Sequence, residues 1–370
     1  MRILVAGDFC PRDRVAALFD NGGFDLVLGN VRDIVSSFDY SIVNFECPVT
    51  SGSVSPIAKC GPNLQCSQKG LEAVKWAGFK CITLANNHFR DFGDAGVKNT
   101  IEIADSLGLD HVGGGINISD SSRTLFKTIG SKTIAIINCC EHEFSIATDH
   151  TGGSNPLNPV KQYYAIKEAK TIADYVLVIV HGGHEHFQLP SVRMVETYRF
   201  FIDAGADVVV NHHQHCYSGY EKYNGKPIFY GLGNFCFDNP SYRDSSWNAG
   251  ILVMLSFSET ICFDIIPYLQ CNEKADIKPL PSNAFNQKLE ELNSTIAAPQ
   301  NLEHSDNEYY NSKTRHYSDI FEPIDNKLYS TLKNRGWLPS LISKRRRLRA
   351  ENYICCESHY DILSHWFKKI

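Results

Sequence analysis

Seven of the 14 histidines lie in three short stretches, each shortly after a run of apolar residues. They are His88, then His181, His184 and His186, then His212, His213 and His215. Imidazole is the commonest metal ligand in proteins, so histidines grouped in this way indicate a metal site. His213 and His215 are two residues apart. If the backbone there stays extended, their side chains share one face and can reach the same pair of ions.

Oxygen ligands occur in similar positions. Asp8 follows the apolar run Arg2–Ala6, and Glu46 follows Ser41–Phe45. A carboxylate at a strand end can bridge two metal ions, and the neutral amide oxygen of Asn87 is a ligand that divalent ions also accept. His181 is the best candidate of its stretch because it lies nearest the apolar run. The predicted ligand set is Asp8, Glu46, Asn87, His181, His213 and His215, enough for two divalent ions, with Mn, Fe and Zn all compatible.

Each of these residues also has a simpler interpretation on its own. Asp8 could cap a helix, and Glu46 could be a surface carboxylate. Asn86-Asn87 could form an ordinary turn, and a single histidine is more often a core or surface residue than a ligand. The metal hypothesis rests on the combination. Without a shared site, six metal-competent residues would all have to follow strands by chance.

The elements that must position these residues are short β-branched runs alternating with helical stretches. Most of the runs are continuously apolar, which is typical of strands buried on both faces. The candidate strands are Arg2–Ala6, Ser41–Phe45, Cys81–Leu84, Thr133–Asn138, Tyr175–Val180, Asp207–Val210, Pro227–Tyr230 and Ile251–Phe257. The candidate helices are Gly70–Ala77, Asp94–Leu107, Tyr163–Ala173 and Ser191–Ala204. The pattern predicts a layered α/β fold, and the number of strands suggests two sheets.

We predict three regions along the chain. Residues 1–270 form the α/β domain. Residues 271–324 are polar and contain several prolines, which favours a linking or wrapping segment with some helix over Phe285–Leu292. Residues 325–370 are basic, aromatic and mostly helical. They either pack as a helical pair on the main domain or present the basic face of Lys344–Arg349 to a membrane surface or an acidic partner.

Composition narrows the class of protein. With 43% hydrophobic residues among 370, the chain can bury a large core. The net charge of −5 gives no support for a nucleic-acid partner. The 13 cysteines include adjacent pairs and no disulfide framework, so we expect reduced thiols. The chain starts directly in a predicted strand and contains no apolar stretch long enough for a membrane span, so we expect a cytoplasmic protein or one peripheral to the inner membrane face.

Six motifs follow one another along the chain: Gly7-Asp8, Asn44–Thr50, Ala85–Gly93, His181–Glu185, His212–His215 and Gly231–Asp238. In this order they resemble the motifs of the CapA family of poly-gamma-glutamate capsule synthesis proteins, a branch of the calcineurin-like metallophosphoesterases. The resemblance covers about residues 1–270 and implies a metallophosphoesterase-like β-sandwich flanked by helices, with the C-terminal helical region as an extension.

The resemblance also implies roles for single residues. Asn87, His181, His213 and His215 are similar to the family's metal ligands, Asp8 to its first aspartate and Glu46 to its bridging carboxylate. His88 corresponds to the acid near the leaving group, and Asp91, three residues later, is placed to hold its tautomer. Glu185 and Asn234 are candidate substrate-binding residues because they lie in the motifs.

Three positions depart from the phosphoesterase pattern. The histidine expected two residues after Asp8 is Cys10, which we interpret as a packed thiol, and Gly182 and Gln214 replace a tryptophan and a proline. One metal ion is therefore expected to bind less tightly.

We predict a two-metal hydrolase that attacks a phosphoester or a phosphorylated polymer or glycan in capsule biosynthesis. The main alternative is a non-enzymatic, metal-stabilised accessory protein that docks on a capsule-synthesis partner or the membrane through its basic C-terminal region. Truncation at about Glu322 should separate the two. Amide chemistry on a glutamyl polymer follows from the family name alone, and the sequence contains no ATP-binding loop for a ligase.

Overall fold

The computed structural model describes residues 1–318 and 343–367, together with Leu328, Leu332, Arg335 and Trp337. The strands in chain order are β1 (Arg2–Phe9), β2 (Tyr40–Phe45), β3 (Cys81–Thr83), β4 (Asp110–Val112), β5 (Gly114–Gly115), β6 (Leu125–Ile129), β7 (Lys132–Cys140), β8 (Gly153–Ser154), β9 (Tyr175–His181), β10 (Val208–His212), β11 (Tyr220–Tyr223), β12 (Lys226–Phe229), β13 (Asn234–Cys236), β14 (Ala249–Ser256), β15 (Cys262–Gln270) and β16 (Ile277–Pro279). The described helices are α1 (Asp13–Asp20), α2 (Phe24–Ser36), α3 (Lys69–Trp76), α4 (Gly93–Ser106), α5 (Ile118–Ser121), α6 (Pro159–Ile172), α7 (Val192–Ala204), α8 (Asn286–Ala297), α9 (Pro299–Ser318), α10 (Lys344–Cys355) and α11 (Glu357–Phe367).

Most strands belong to two large sheets. The first has the order β16-β15-β14-β1-β2-β3-β4, with β13 also paired to β1, and the second has the order β11-β12-β10-β9-β7-β6. Strands β1 to β4 run parallel to one another, as do β7, β9, β10 and β12, whereas β14 to β16 of the first sheet and β6 and β11 of the second pair antiparallel with their neighbours. Parallel central strands are covered on both faces, which explains their continuous apolar character.

The core has three apolar layers. One lies between the sheets and joins residues such as Val5 of β1 to Leu177 of β9. The outer face of the first sheet packs against α1 to α4, and the outer face of the second packs against α6 and α7, for example through Phe201. The predicted layered α/β fold, with two sheets flanked by helices, is confirmed.

All eight predicted strands and all four predicted helices occur, with shifted ends. Strand β1 continues to Phe9, so Asp8 lies inside a strand, and α1 begins only at Asp13 after Arg12. The alternative in which Asp8 caps a helix is therefore wrong. The sequence interpretation missed α1, α2 and the antiparallel strands β6 and β15.

The segment predicted to link the domain to the C-terminal region is more helical than expected, because it contains both α8 and α9. Asn293 of α8 accepts a hydrogen bond from the Tyr220 amide at 2.7 Å. Asp306 of α9 accepts one from the Val192 amide at 2.8 Å. Both helices thus pack on the second sheet and its helices, while the division into three regions stays a prediction.

The C-terminal helices α10 and α11 form a pair that packs on the main body, one of the two predicted alternatives. Asp361 pairs with Arg193 at 2.8 Å, and Glu357 lies 2.6 Å from His142. Trp337 is exposed, and the rest of the predicted extension before residue 343 and after residue 367 lies outside the described residues.

Two composition-based expectations can be compared with the structure. All 13 cysteines are described and unpaired, as predicted. In the described part of the chain, no helix combines the length and the apolar character needed to span a bilayer.

Candidate metal centre

The polar cluster lies where parallel strands of both sheets end. Asp8 is at the end of β1, Glu46 directly follows β2, and His181 ends β9. The Glu46 amide donates to the Phe9 carbonyl at 2.9 Å, which fixes the first two strand ends against each other. Carboxyl ends of parallel strands are the usual place for a functional site in α/β proteins.

Two groups of potential ligands share Glu46. One consists of Glu46, His181 and His213, and the other of Asp8, Glu46 and His215, with the ligand atoms of each group within 4.8 Å of one another. Glu46 Oε1 lies 3.6 Å from His181 Nε2 and 3.7 Å from His215 Nε2. Glu46 is thus common to both groups, as the predicted bridging role requires, and that role stays a prediction.

Asn87 joins the first group. Its amide oxygen lies 3.0 Å from His181 Nε2, and His213 Nδ1 lies 3.1 Å from the same nitrogen. All six predicted ligands are therefore brought together, and their roles as ligands remain a prediction.

The expected backbone at His213 and His215 is wrong. Strand β10 ends at His212, and His213 and His215 have φ angles of 95° and 55°. Residues with a Cβ seldom adopt these left-handed conformations, and such strain is concentrated at functional sites. With this backbone, His213 belongs to one ligand group and His215 to the other.

The electrostatics of the cluster favour a bound cation. Both carboxylate oxygens of Glu46 are buried without a hydrogen-bond partner among the described residues. Burial, with Asp8 nearby, raises the pKa of Glu46 well above its usual range. Burial opposes ionisation of Asp8 as well, but the hydrogen bond and charge of His212 and the charge of His215 hold its pKa below its usual range. No described Lys or Arg nitrogen lies within 4.0 Å of either carboxylate.

The His181 imidazole is suited to metal binding. Burial, followed by the charge of His213, lowers the pKa of His181 well below its usual range, so the ring stays neutral. Neutral imidazole is the form that binds metal.

Two buried asparagines contact the predicted ligands through hydrogen bonds and thereby orient them. Asn44 Nδ2 donates to Asp8 Oδ1 at 2.7 Å and lies 3.2 Å from His181 Nδ1. Asn234 Oδ1 lies 2.9 Å from His215 Nδ1, which leaves Nε2 facing Glu46. Such partners fix the tautomer of a metal-binding histidine.

The predicted substrate-binding role of Asn234 does not fit this geometry. Its side chain is 0% exposed and its amide nitrogen donates to the His215 and Trp247 carbonyls, both at 3.2 Å. We therefore assign Asn234 a positioning role. The sequence interpretation missed Asn44, although it lies in the same motif as Glu46.

His88 lies outside both ligand groups and is held by a buried ion pair. Its Nδ1 is 2.6 Å from Asp91 Oδ2, the pairing that the sequence suggested, and 3.0 Å from Lys59 Nζ. Lys59 also pairs with Asp91, whose Oδ2 accepts the Leu64 amide at 2.6 Å. Burial and the Lys59 charge lower the pKa of His88. Lys59 was missed because it lies in a loop of generic polar composition.

A cleft of about 710 Å³ opens over the cluster. His88, Asn87 and His213 form its floor, and the exposed Glu185 lies on its wall. Tyr309, Lys313, Arg345, Arg349, Tyr353 and His359 line it from α9, α10 and α11. Glu185 therefore borders the cleft, as a substrate-binding residue should, and so do Arg345 and Arg349 of the basic C-terminal run.

His184 does not join the ligands. Its ring packs against Tyr309 in a tilted arrangement with centroids 4.8 Å apart, and burial lowers the pKa of His184 to about 3.

The three departures from the phosphoesterase pattern have structural explanations. Cys10 is a buried thiol in the apolar layer against α1 to α4, as predicted. A Cβ at Gly182 would lie 2.7 Å from the carboxyl carbon of Glu141, so that carboxylate takes the space of a larger side chain. Gln214 donates to the Phe187 and Leu189 carbonyls at 2.9 and 3.1 Å and braces the loop after β9.

The family model described as "Bacterial capsule synthesis protein PGA_cap" matches residues 2–239. The chain belongs to this family. The matched span of this PGA_cap protein contains every residue of the cluster, and α8 to α11 follow it.

Relatives of known name agree with this assignment and confirm the resemblance to CapA. The PGA_cap chain is 32% identical over 275 residues to the capsule biosynthesis protein CapA of Bacillus anthracis, covering 72% of this chain and 67% of that protein. It is 34% identical over 285 residues to the PGA biosynthesis protein CapA of Bacillus subtilis (strain 168), covering 76% and 74%.

Solved structures resemble the PGA_cap chain more distantly. A hypothetical protein from Thermus thermophilus gives a TM-score of 0.46 at 16% identity, covering 76% of this chain and 100% of that one. A putative 5'-nucleotidase from Staphylococcus aureus gives a TM-score of 0.43 at 17% identity, covering 80% and 58%.

Proposed function

We propose that this PGA_cap protein is a metal-dependent phosphoesterase that acts in the synthesis of a bacterial capsule polymer. The observation that carries the proposal is the buried Glu46 carboxylate. Both of its oxygens lack a hydrogen-bond partner among the described residues, and each of two groups of ligand atoms includes it. A buried, uncompensated carboxylate is costly, and a cation at each group would offset that cost.

The donor set fits two divalent ions. His181 and His213 with Glu46 and Asn87 would hold one ion, and Asp8, Glu46 and His215 would hold the other. Imidazole with carboxylate and amide oxygens suits Mn, Fe or Zn. When bound, the ions would supply activation of a water nucleophile and stabilisation of charge on the phosphoryl oxygens.

His88 supplies the acid in the proposed reaction. Asp91 Oδ2 faces Nδ1 at 2.6 Å and accepts its proton in a hydrogen bond, so the imidazolium form, protonated on both nitrogens, is the acid that donates from Nε2 to the leaving oxygen. Lys59 and Asp91 hold the imidazole at the cleft floor. A purely structural metal site would need none of these three residues, which favours an enzyme over a metal-stabilised accessory protein.

The charge of the cleft favours an anionic substrate. Lys313, Arg345 and Arg349 line it, and none has a carboxylate within 4.0 Å among the described residues. Unpaired cations beside an acid and a metal centre suit a phosphoester attached to a negatively charged polymer. The names of the CapA relatives support a capsule polymer as the context.

The first test measures metal content and hydrolysis together. Protein purified without chelator should carry at least one tightly held divalent ion per chain and hydrolyse synthetic phosphomonoesters or diesters with added Mn²⁺. His213→Ala should lower both values, whereas His150→Ala, at an exposed histidine, should change neither. Wild-type protein that lacks metal and hydrolyses neither ester class would refute the proposal.

A second test addresses substrate charge. Arg345→Ala/Arg349→Ala should raise KM for an anionic phosphorylated oligomer severalfold and weaken its salt dependence, with little change in kcat. An unchanged KM would place the anionic part of the substrate elsewhere.

A further inference from the structure

We infer that Glu143, Cys356 and His359 bind a further divalent ion of the zinc type, separate from the proposed two-ion centre. The ligand atoms of the three residues lie within 4.8 Å of one another. Glu143 Oε1 is 3.9 Å from Cys356 Sγ and 4.0 Å from His359 Nε2. Tetrahedral zinc ligands lie roughly 3.3 to 3.6 Å apart, as follows from bonds of about 2.0 to 2.3 Å, so the three side chains would close by up to about 1 Å on a bound ion.

The local structure directs these side chains to one point. Helix α10 ends at Cys355 and α11 begins at Glu357, so Cys356 lies at the junction and His359 in the first turn of α11. Pairs of zinc ligands are commonly separated by a few residues, as Cys356 and His359 are. Glu143 faces them from the loop after β7, more than 200 residues earlier in the chain.

The charge around the group is unbalanced. The neighbouring Glu141 is neutralised by Arg193 at 2.7 Å. Glu143 has no Lys or Arg nitrogen within 4.0 Å among the described residues. The Cys356 side chain is 1% exposed, so a thiolate there would need a cation. A sulfur, a nitrogen and an oxygen donor together are typical of zinc.

The position indicates what a bound ion would do. Glu143 Oε1 also lies 4.0 Å from His213 Nε2, at the edge of the two-ion centre. An ion here would tie the junction of α10 and α11 to the cleft wall and thereby hold Arg345 and Arg349 of α10 over the floor. It would thus order the C-terminal wall of the cleft without taking part in the reaction.

Cobalt provides a test independent of hydrolysis. The full-length protein would be stripped of metal, loaded with Co²⁺ alone, and examined by absorption spectroscopy and metal analysis. A thiolate ligand produces a sulfur-to-cobalt charge-transfer band in the near ultraviolet. The proposed two-ion centre has no sulfur ligand, so only the Cys356 site should give this band, whether or not the protein hydrolyses esters.

Matched variants identify the ligands. Cys356→Ser should abolish the band and reduce bound cobalt by one ion per chain, while Cys355→Ser, at the exposed neighbour, and Cys10→Ala should retain both. Glu143→Gln, at a partly exposed side chain, should weaken cobalt binding without unfolding the chain, as judged by circular dichroism. The inference is overturned if cobalt-loaded wild-type protein shows no thiolate band, or if the band persists in folded Cys356→Ser.

Discussion

His88→Asn separates catalysis from metal binding and from folding. The asparagine keeps an N–H that can face Asp91 but lacks the second ring nitrogen that would protonate the leaving oxygen. A positioned general acid contributes about 10²- to 10⁴-fold, so kcat should fall by this factor, or about 3 to 5 kcal/mol in the barrier. Metal content should not change, because His88 belongs to neither group of ligands.

The structure also predicts a small effect on stability. After the substitution, Asp91 keeps Lys59 and the Leu64 amide as partners, so no buried charge loses its counterion. We expect a loss of about 1 kcal/mol, the value of one hydrogen bond. Asp91→Ala would instead leave the Lys59 ammonium, 3% exposed, without a carboxylate and cost about 3 to 5 kcal/mol. Loss of activity in that variant could reflect unfolding.

The assay measures kcat on a phosphoester, metal per chain and the free energy of unfolding in urea for wild type and His88→Asn. A large fall in kcat with the other two values preserved would support His88 as the acid. If kcat stays within about threefold of wild type at unchanged metal content, an effect far below that of a general acid, the assignment is wrong.

Three further outcomes follow from single contacts. Asn234→Ala should weaken metal affinity about 10- to 100-fold in a competitive titration, because His215 loses the partner that orients it. Burial raises the pKa of Asp306 from 3.8 to about 7, so the folded chain binds this proton more tightly than the unfolded chain does. The stabilisation that comes from this proton is complete below pH 3.8 and is lost as the pH rises through about 7. Asp306→Asn should therefore flatten the decline in stability over this range in urea unfolding; an equally steep decline would contradict the shift. Gly182→Ala should cost about 1 to 3 kcal/mol in the same assay, since its Cβ would overlap Glu141, and an unchanged midpoint would contradict that overlap.

The sequence was sufficient for the features that depend on short-range pattern. Continuous apolar runs predicted the buried strands because parallel central strands are covered on both faces. The carboxyl ends of those strands meet between the two sheets, so Asp8, Glu46 and His181 could be expected to lie together. Asp91 could be paired with His88 because three residues in one turn bring side chains into contact.

Other features depend on contacts or backbone angles that no local pattern records. The left-handed backbone at His213 and His215 occurs in residue types that seldom adopt it. Lys59 is one lysine in a polar loop, and only the folded chain places it against His88. Asn234 lies in a motif, but its burial behind His215 rather than in the cleft requires the packing of both sheets.

The C-terminal helices change how the enzyme and the docking alternative can be distinguished. Truncation at about Glu322 would remove Arg349 from the cleft wall along with any docking surface, so loss of hydrolysis would fit either alternative. Point substitutions on one helix separate them, because Arg347 is exposed and lies outside the cleft. Arg349→Glu should raise KM for an anionic substrate and leave attachment to a partner or membrane intact. If α10 also docks, Arg347→Glu should weaken attachment to the partner or membrane and leave KM unchanged. Attachment that is unchanged in both variants would exclude this face of α10 as a docking surface.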